Sequence, residues 1–139
     1  MFISHDIDAK EVSEDQFFGR GSGGGTMISS ALDLCLEIIN SRYHPSSWNI
    51  YSFHCSDGEN WPSDNEKAIA LSRSLKEICQ LYGYLEIIPE DEKIAWQNNS
   101  TMSSIYGSLS DDKFKIVKLE APHDIWPEFR RIFGGTLNV

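Results

Sequence analysis

Cysteine is scarce in this chain and wrongly spaced for the tasks it usually performs in small proteins. Cys35, Cys55 and Cys79 are odd in number and form no C-x-x-C pair, which excludes a disulfide scaffold and a cysteine-rich zinc site. Cys35 and Cys79 fall on apolar faces of expected helices, where a thiol is an inert core group. Cys55 alone lies beside a turn with the character of a site. Long hydrophobic runs are missing as well. Nothing approaches the roughly 20 apolar residues that span a bilayer, and no basic-then-apolar leader opens the chain, so no membrane association is expected and the expected compartment is cytoplasmic. Positive charge is the third shortage. Twelve Lys and Arg against 21 Asp and Glu leave a net charge of -9, which argues against broad nucleic-acid binding because phosphate contacts need clustered cations. Such a surface attracts cations weakly.

Catalytic signatures are absent too. There is no Walker spacing and no G-x-S-x-G elbow, and His5, His44, His54 and His123 are scattered without metal-ligand spacing. His54 and Cys55 are neighbours, so on an extended backbone their side chains point to opposite faces and cannot form a nucleophile–base dyad. No catalytic residue is assigned, and an enzymatic role is not expected.

What is present suffices for one domain. The 139 residues are 40% hydrophobic and 24% charged, ordinary for a globular protein with a sizeable core. Phe2 to His5 reads as a short strand, Asp6 to Lys10 as a polar turn, and Glu11-Val12 as a brief edge strand before the Phe17-Phe18 pair, which anchors the next loop. Gly19 to Gly25 holds five glycines in seven residues. This loop either is simply mobile or brings Thr26 to a ligand through backbone N–H groups. Ile28, Ala31, Leu32, Cys35, Ile38 and Ile39 then recur at helical steps, with Thr26 as the expected N-cap. Trp48 to His54 is rich in aromatic and branched residues and reads as a buried strand. Ser-Asp-Gly follows at positions 56 to 58, where Asp57 would stand on the carboxyl edge of the sheet and Gly58 would let the chain turn sharply.

Ser63 to Glu66 has the form of a capping box. It opens a helix expected to run to Tyr82, with Ala68, Leu71, Leu75, Ile78, Cys79 and Tyr82 buried and Gly83 closing it. Tyr84 to Ile88 reads as a strand, and Pro89 to Asn99 as an acidic loop in which Ile94 and Trp96 tuck inward. Ser100 caps a short helix carrying Met102, Ile105, Tyr106 and Leu109. Lys113 to Leu119 is another strand. Asp124 caps a last helix with Ile125, Phe129, Ile132 and Phe133 facing in. Alternating strands and helices argue an α/β fold: an open, mainly parallel Rossmann-like sheet with helices on both faces.

The runs FFGRGSGGGTMISSAL, RYHPSSWNIYSFHCSDGENWPSDN and STMSSIYGSL with DDKFK resemble the bacterial YeaH/YhbH family, over Ile3 to Phe133. The resemblance implies a von Willebrand factor A-like domain and a link to sporulation and stress operons. In such domains a divalent cation, usually Mg²⁺, is held by a D-x-S-x-S loop, a Thr from a second loop and an Asp from a third. By position Thr26 and Asp57 match the Thr and the Asp. No D-x-S-x-S occurs in the 139 residues. The expectation is therefore a truncated A-like domain over 1–139, the carboxyl-terminal part of a longer family member, lacking the first central strand. It should hold Mg²⁺ only weakly on its own, and it should self-associate or pair with a separate amino-terminal fragment. The leading reading is a non-enzymatic interaction module whose suggested partners are a PrkA-type serine kinase or a SpoVR-like protein. The competing readings are a small α/β enzyme, a hydrolase or phosphate-handling protein, and a remnant without retained function.

Overall fold

The computed structural model of the chain describes residues 1–19, 25–88 and 100–134. They form a mixed α/β fold divided into two compact units, Met1–Ile50 with Asn60–Gln80 and Tyr51–Glu59 with Leu81–Val139. Three stretches singled out in the sequence lie outside the described residues: most of the glycine-rich loop (20–24), the acidic segment 89–99 with Ile94 and Trp96, and the tail 135–139.

The first unit begins with a hairpin. β1 (Phe2–His5) and β2 (Ala9–Val12) pair antiparallel, Phe2 opposite Val12 and His5 opposite Ala9. Asp6 closes the turn by accepting the Asp8 N–H at 3.0 Å. After β2 the chain forms a short helix, α1 (Glu14–Gly19), that the sequence reading did not anticipate. Ser13 starts it: Ser13 Oγ accepts the Gln16 N–H and Gln16 Oε1 accepts the Ser13 N–H, the reciprocal arrangement that satisfies two helix-end donors. The Phe17 and Phe18 rings lie 5.2 and 5.9 Å from that of Phe2, and the loop they were expected to anchor lies mostly outside the described residues.

The apolar stripe of α2 (Ile28–Arg42) buries Ile28, Ala31, Leu32, Ile38 and Ile39. It packs against β1, β2 and α3 (Asn65–Ile78). The ends of both helices correct the sequence reading. Thr26 does not cap α2; Met27 occupies that position and offers no side-chain bond. The free N–H groups are met from elsewhere in the unit, Ile28 by Asn60 Oδ1 at 2.9 Å and Ser29 by Asp64 Oδ2 at 3.0 Å. The capping box at Ser63–Glu66 does not form either. A 3₁₀ turn, Pro62–Asp64, leads into α3, and the Asp64 carboxylate serves α2 in place of its own helix.

The second unit is built on β3 (Ile50–Ser56), β4 (Cys79–Ile87) and β5 (Phe114–Leu119), in the order β3-β4-β5. β4 and β5 run parallel, Tyr82 opposite Phe114 and Ile87 opposite Leu119. The helix expected to reach Tyr82 stops at Ile78, and Cys79 to Tyr82 belong to β4. Gly83 is therefore a strand residue, not a helix terminator. Side chains alternate across the sheet. On one face Tyr82 and Tyr84 meet Phe114 and Tyr106, with ring centroids 4.6 to 5.6 Å apart, beneath α4 (Met102–Ile105) and the 3₁₀ turn Tyr106–Leu109.

On the other face Leu81, Leu85, Val117 and Leu119 pack with Ile132 of α5 (Ile125–Phe133). Only Ile132 of that helix is buried, whereas Ile125, Phe129 and Phe133, expected inside, are exposed. Asp124 stands at the N-cap position of α5, as expected, but makes no side-chain bond to that helix. Its carboxylate accepts the Glu120 and Ala121 N–H groups at 3.1 and 3.0 Å and closes the preceding 3₁₀ turn, Pro122–Asp124. Among the described residues no helix is long and apolar enough to cross a membrane.

Candidate functional site at the carboxyl end of β3

β3 ends at Ser56, and the chain turns at once. Gly58 carries φ 87°, a backbone state that an L side chain would strain. The turn is fastened at three points. Ser56 Oγ accepts the Gly58 N–H at 3.0 Å, Asp57 Oδ1 accepts the Glu59 N–H at 3.0 Å, and the Gly58 carbonyl accepts the Met102 N–H at 3.0 Å. Asp57 itself is exposed. Among the described residues only its Oδ1 is engaged, in the side-chain-to-backbone bond that shapes such turns.

Met102 belongs to a segment that is itself clamped. Thr101 Oγ1 donates to Glu86 Oε1 at 2.7 Å, and the Ser103 N–H and Oγ donate to the same carboxylate at 2.8 and 3.1 Å. The Tyr84 hydroxyl approaches Glu86 Oε2 at 3.4 Å. Burial raises the Tyr84 phenol above its ordinary range, so it stays a neutral hydroxyl. Glu86 is fully buried, a carboxylate held entirely by neutral donors. The network Tyr84–Glu86–Thr101–Ser103 thus holds the segment whose Met102 N–H braces the Asp57 turn. Sequence reasoning missed it, although a Glu inside the strand YLEII was a visible signal.

Thr26 lies in the first unit and Asp57 in the second. Thr26 is half-buried, and its carbonyl accepts the Trp61 N–H at 3.2 Å; the Trp61 indole rests against Gly25. A hydroxyl and a carboxylate are hard oxygen donors of the type Mg²⁺ prefers, but that ion takes about six oxygens, so the pair fits in kind and falls short in number. Among the described residues no three His, Cys, Asp or Glu side chains gather at metal-binding spacing. Cys35 is a poor nucleophile, since burial pushes it up to about 11, and Cys79 is buried.

These features define an α/β protein whose helices flank a small parallel sheet, with a rigid acidic turn at the end of β3. The chain belongs to the family described as "Protein of unknown function (DUF444)", whose sequence model matches residues 1–135. It is similar to UPF0229 proteins of Ruminiclostridium cellulolyticum (41% identical, covering 95% of this chain and 32% of the relative) and Halalkalibacterium halodurans (38%, covering 95% and 32%). A UPF0229 protein of Clostridium perfringens is 35% identical over 98% of this chain and 33% of its own length. The YeaH/YhbH resemblance is thereby shown. The chain spans about one third of the length of these relatives.

Proposed function

We propose that the chain is a non-enzymatic, cytoplasmic protein-interaction module of von Willebrand factor A-like architecture. Its partial metal-ion-dependent adhesion-type site uses Thr26 and Asp57, and a carboxylate on the partner completes the coordination of Mg²⁺. The observation that carries this reading is the Asp57 turn. An exposed carboxylate stands on a backbone pinned by Ser56, Glu59 and Met102, and a rigid mounting is what a ligand-presenting residue needs. Two side-chain ligands leave most positions around Mg²⁺ to water or to a partner, so affinity in the chain alone is weak. A sporulation- or stress-linked PrkA-type serine kinase or SpoVR-like protein is the proposed partner.

Asp57→Ala is the decisive variant. Immobilised chain is expected to retain the candidate partners in Mg²⁺ and to release them in EDTA, and the variant to retain none. Its melting temperature should fall only slightly, because the exposed side chain gives up one bond, to the Glu59 N–H, worth about 1 kcal/mol. Equal retention by the variant would end the adhesion reading, and retention by neither protein would favour a remnant without this role. Calorimetry on the isolated chain should show Mg²⁺ binding weaker than micromolar; a low-micromolar constant would mean that more ligands are present than these two.

A further inference from the structure

β5 is an end strand of its sheet: in the order β3-β4-β5 nothing pairs with its outer side among the described residues. Its pairing with β4 shows which groups face that way. The Tyr82 N–H bonds the Lys113 carbonyl, and the Ile88 N–H bonds the Leu119 carbonyl. Odd-numbered residues of β5 therefore serve β4. The alternate residues of a strand direct their N–H and C=O to its other side, which turns those of Phe114, Ile116 and Lys118 outward. Such a row of backbone groups is a template for a strand from another chain.

Two residues occupy much of this row. Asp111 takes both groups of Phe114: its N–H donates to the Phe114 carbonyl at 3.0 Å, and its Oδ1 accepts the Phe114 N–H at 2.9 Å. Arg131, reaching over from α5, donates through Nη2 to the Ile116 carbonyl at 3.2 Å. Glu128 holds that guanidinium, its Oε2 accepting the Arg131 Nε–H at 2.7 Å. The Ile116 N–H and both groups of Lys118 stay open among the described residues. Water alone would satisfy an outward carbonyl, and an exposed ion pair adds little stability. What the Arg131 contact adds is occlusion: the middle acceptor of the row is filled.

We propose that Arg131 guards the β5 edge: with Asp111 it keeps a second copy of the chain from adding its own β5 there as an antiparallel strand. A second copy is the occupant to be excluded, because one edge meeting itself about a two-fold axis is self-complementary and every molecule carries it. Centred on Ile116, such a pair needs the Ile116 carbonyl of each copy as an acceptor, the atom that Arg131 fills. Lys113, Lys115 and Lys118 belong to the same defence, since lysines blunt exposed strands. The net charge of -9 on each chain opposes the same encounter. That repulsion is screened by salt, whereas a filled acceptor blocks pairing at any ionic strength. The inference uses neither Thr26, Asp57 nor a metal.

The test compares the full chain with Arg131→Ala at about 200 mM NaCl, where the screening length is roughly 7 Å. Backbone amide exchange is followed at Ile116 and Lys118 over a concentration series, with sedimentation velocity alongside. In the parent those two amides are expected to exchange at one rate at every concentration. In Arg131→Ala they should slow by at least about tenfold as concentration rises, and a dimer should appear or gain over the parent. Electrostatics cannot produce that result, because the substitution removes a positive charge and makes the chain more acidic. Arg131 is exposed, so the far-UV circular dichroism should match the parent. Adding Lys118→Pro, which deletes an outward N–H and is tolerated on an edge strand, should restore the parent's exchange at Ile116. Amides in Arg131→Ala that exchange as in the parent would overturn the proposal. Slowing that survives Lys118→Pro would do the same, as would a parent whose Ile116 amide is already protected as concentration rises.

Discussion

Glu86 is the residue on which the local geometry depends most. Its carboxylate is buried among neutral donors, with the Thr101 hydroxyl and the Ser103 N–H at 2.7 and 2.8 Å. Glu86→Ala leaves those donors buried without an acceptor, each worth about 1–3 kcal/mol, so urea unfolding should show a loss of about 3 kcal/mol. Glu86→Gln keeps an acceptor oxygen and should cost less, about 1 kcal/mol. Equal costs for the two variants would show that the carboxylate does not act as the shared acceptor. Cys35 carries a pH signature of its own. Burial raises its pKa from 9.0 to about 11, so the folded chain keeps a proton that the unfolded chain releases across that window. The unfolded state binds fewer protons there, and stability therefore falls as pH rises from about 9 to about 11. Below that window the contribution is fully present. Cys35→Ala should flatten this slope in denaturation series taken from pH 8.5 to 11; an unchanged slope would locate the titration elsewhere.

At the scale of elements, the junction of α3 and β4 shows what could be read in the sequence and what could not. The stripe Ala68, Leu71, Leu75 identified α3, because a helix on a core repeats its apolar residues at three and four. The same spacing continues through Ile78, Cys79 and Tyr82, yet those last two residues lie in β4. A strand buried on both faces is apolar throughout, so periodicity cannot separate it from a buried helix turn. Gly83 strengthened the error by resembling a helix terminator. Its actual reason is the Phe53 ring: a Cβ there would come within 2.9 Å of Phe53 Cδ1.

Gly83→Ala should therefore destabilise by about 1–3 kcal/mol. Combining it with Phe53→Ala should cost less than the sum of the single changes, as contacting residues do in a double-mutant cycle. Full additivity would deny the contact. The helix caps were illegible for a related reason. Asn60 and Asp64 reach the α2 terminus across more than 30 positions, and capping patterns in sequence are read over three. Asp57 was legible because a strand followed by Ser-Asp-Gly encodes its turn locally, whereas the brace of Glu86, Thr101 and Ser103 needs tertiary structure to bring it together.

For the whole molecule, the charge balance governs how any metal experiment must be read. With 21 acidic and 12 basic residues, the folded chain repels itself, and added salt relieves that repulsion. Its ion pairs, among them Arg42–Glu11, Lys67–Asp33 and Arg131–Glu128, are on the surface; such pairs contribute about 0–1 kcal/mol each and weaken in salt. The repulsion is the more general effect, so the melting temperature should rise as NaCl goes from 20 to about 200 mM, a range over which the screening length shortens to roughly 7 Å. Mg²⁺ will produce that rise without any site. A bound ion must therefore appear as a difference at matched ionic strength: Mg²⁺ should stabilise the parent chain beyond Na⁺, and Asp57→Ala should lose only that excess. Asp112→Ala, on another exposed turn, removes the same charge and should keep the excess. If both variants lose it equally, the cation is held by the overall charge of the chain and not by Asp57.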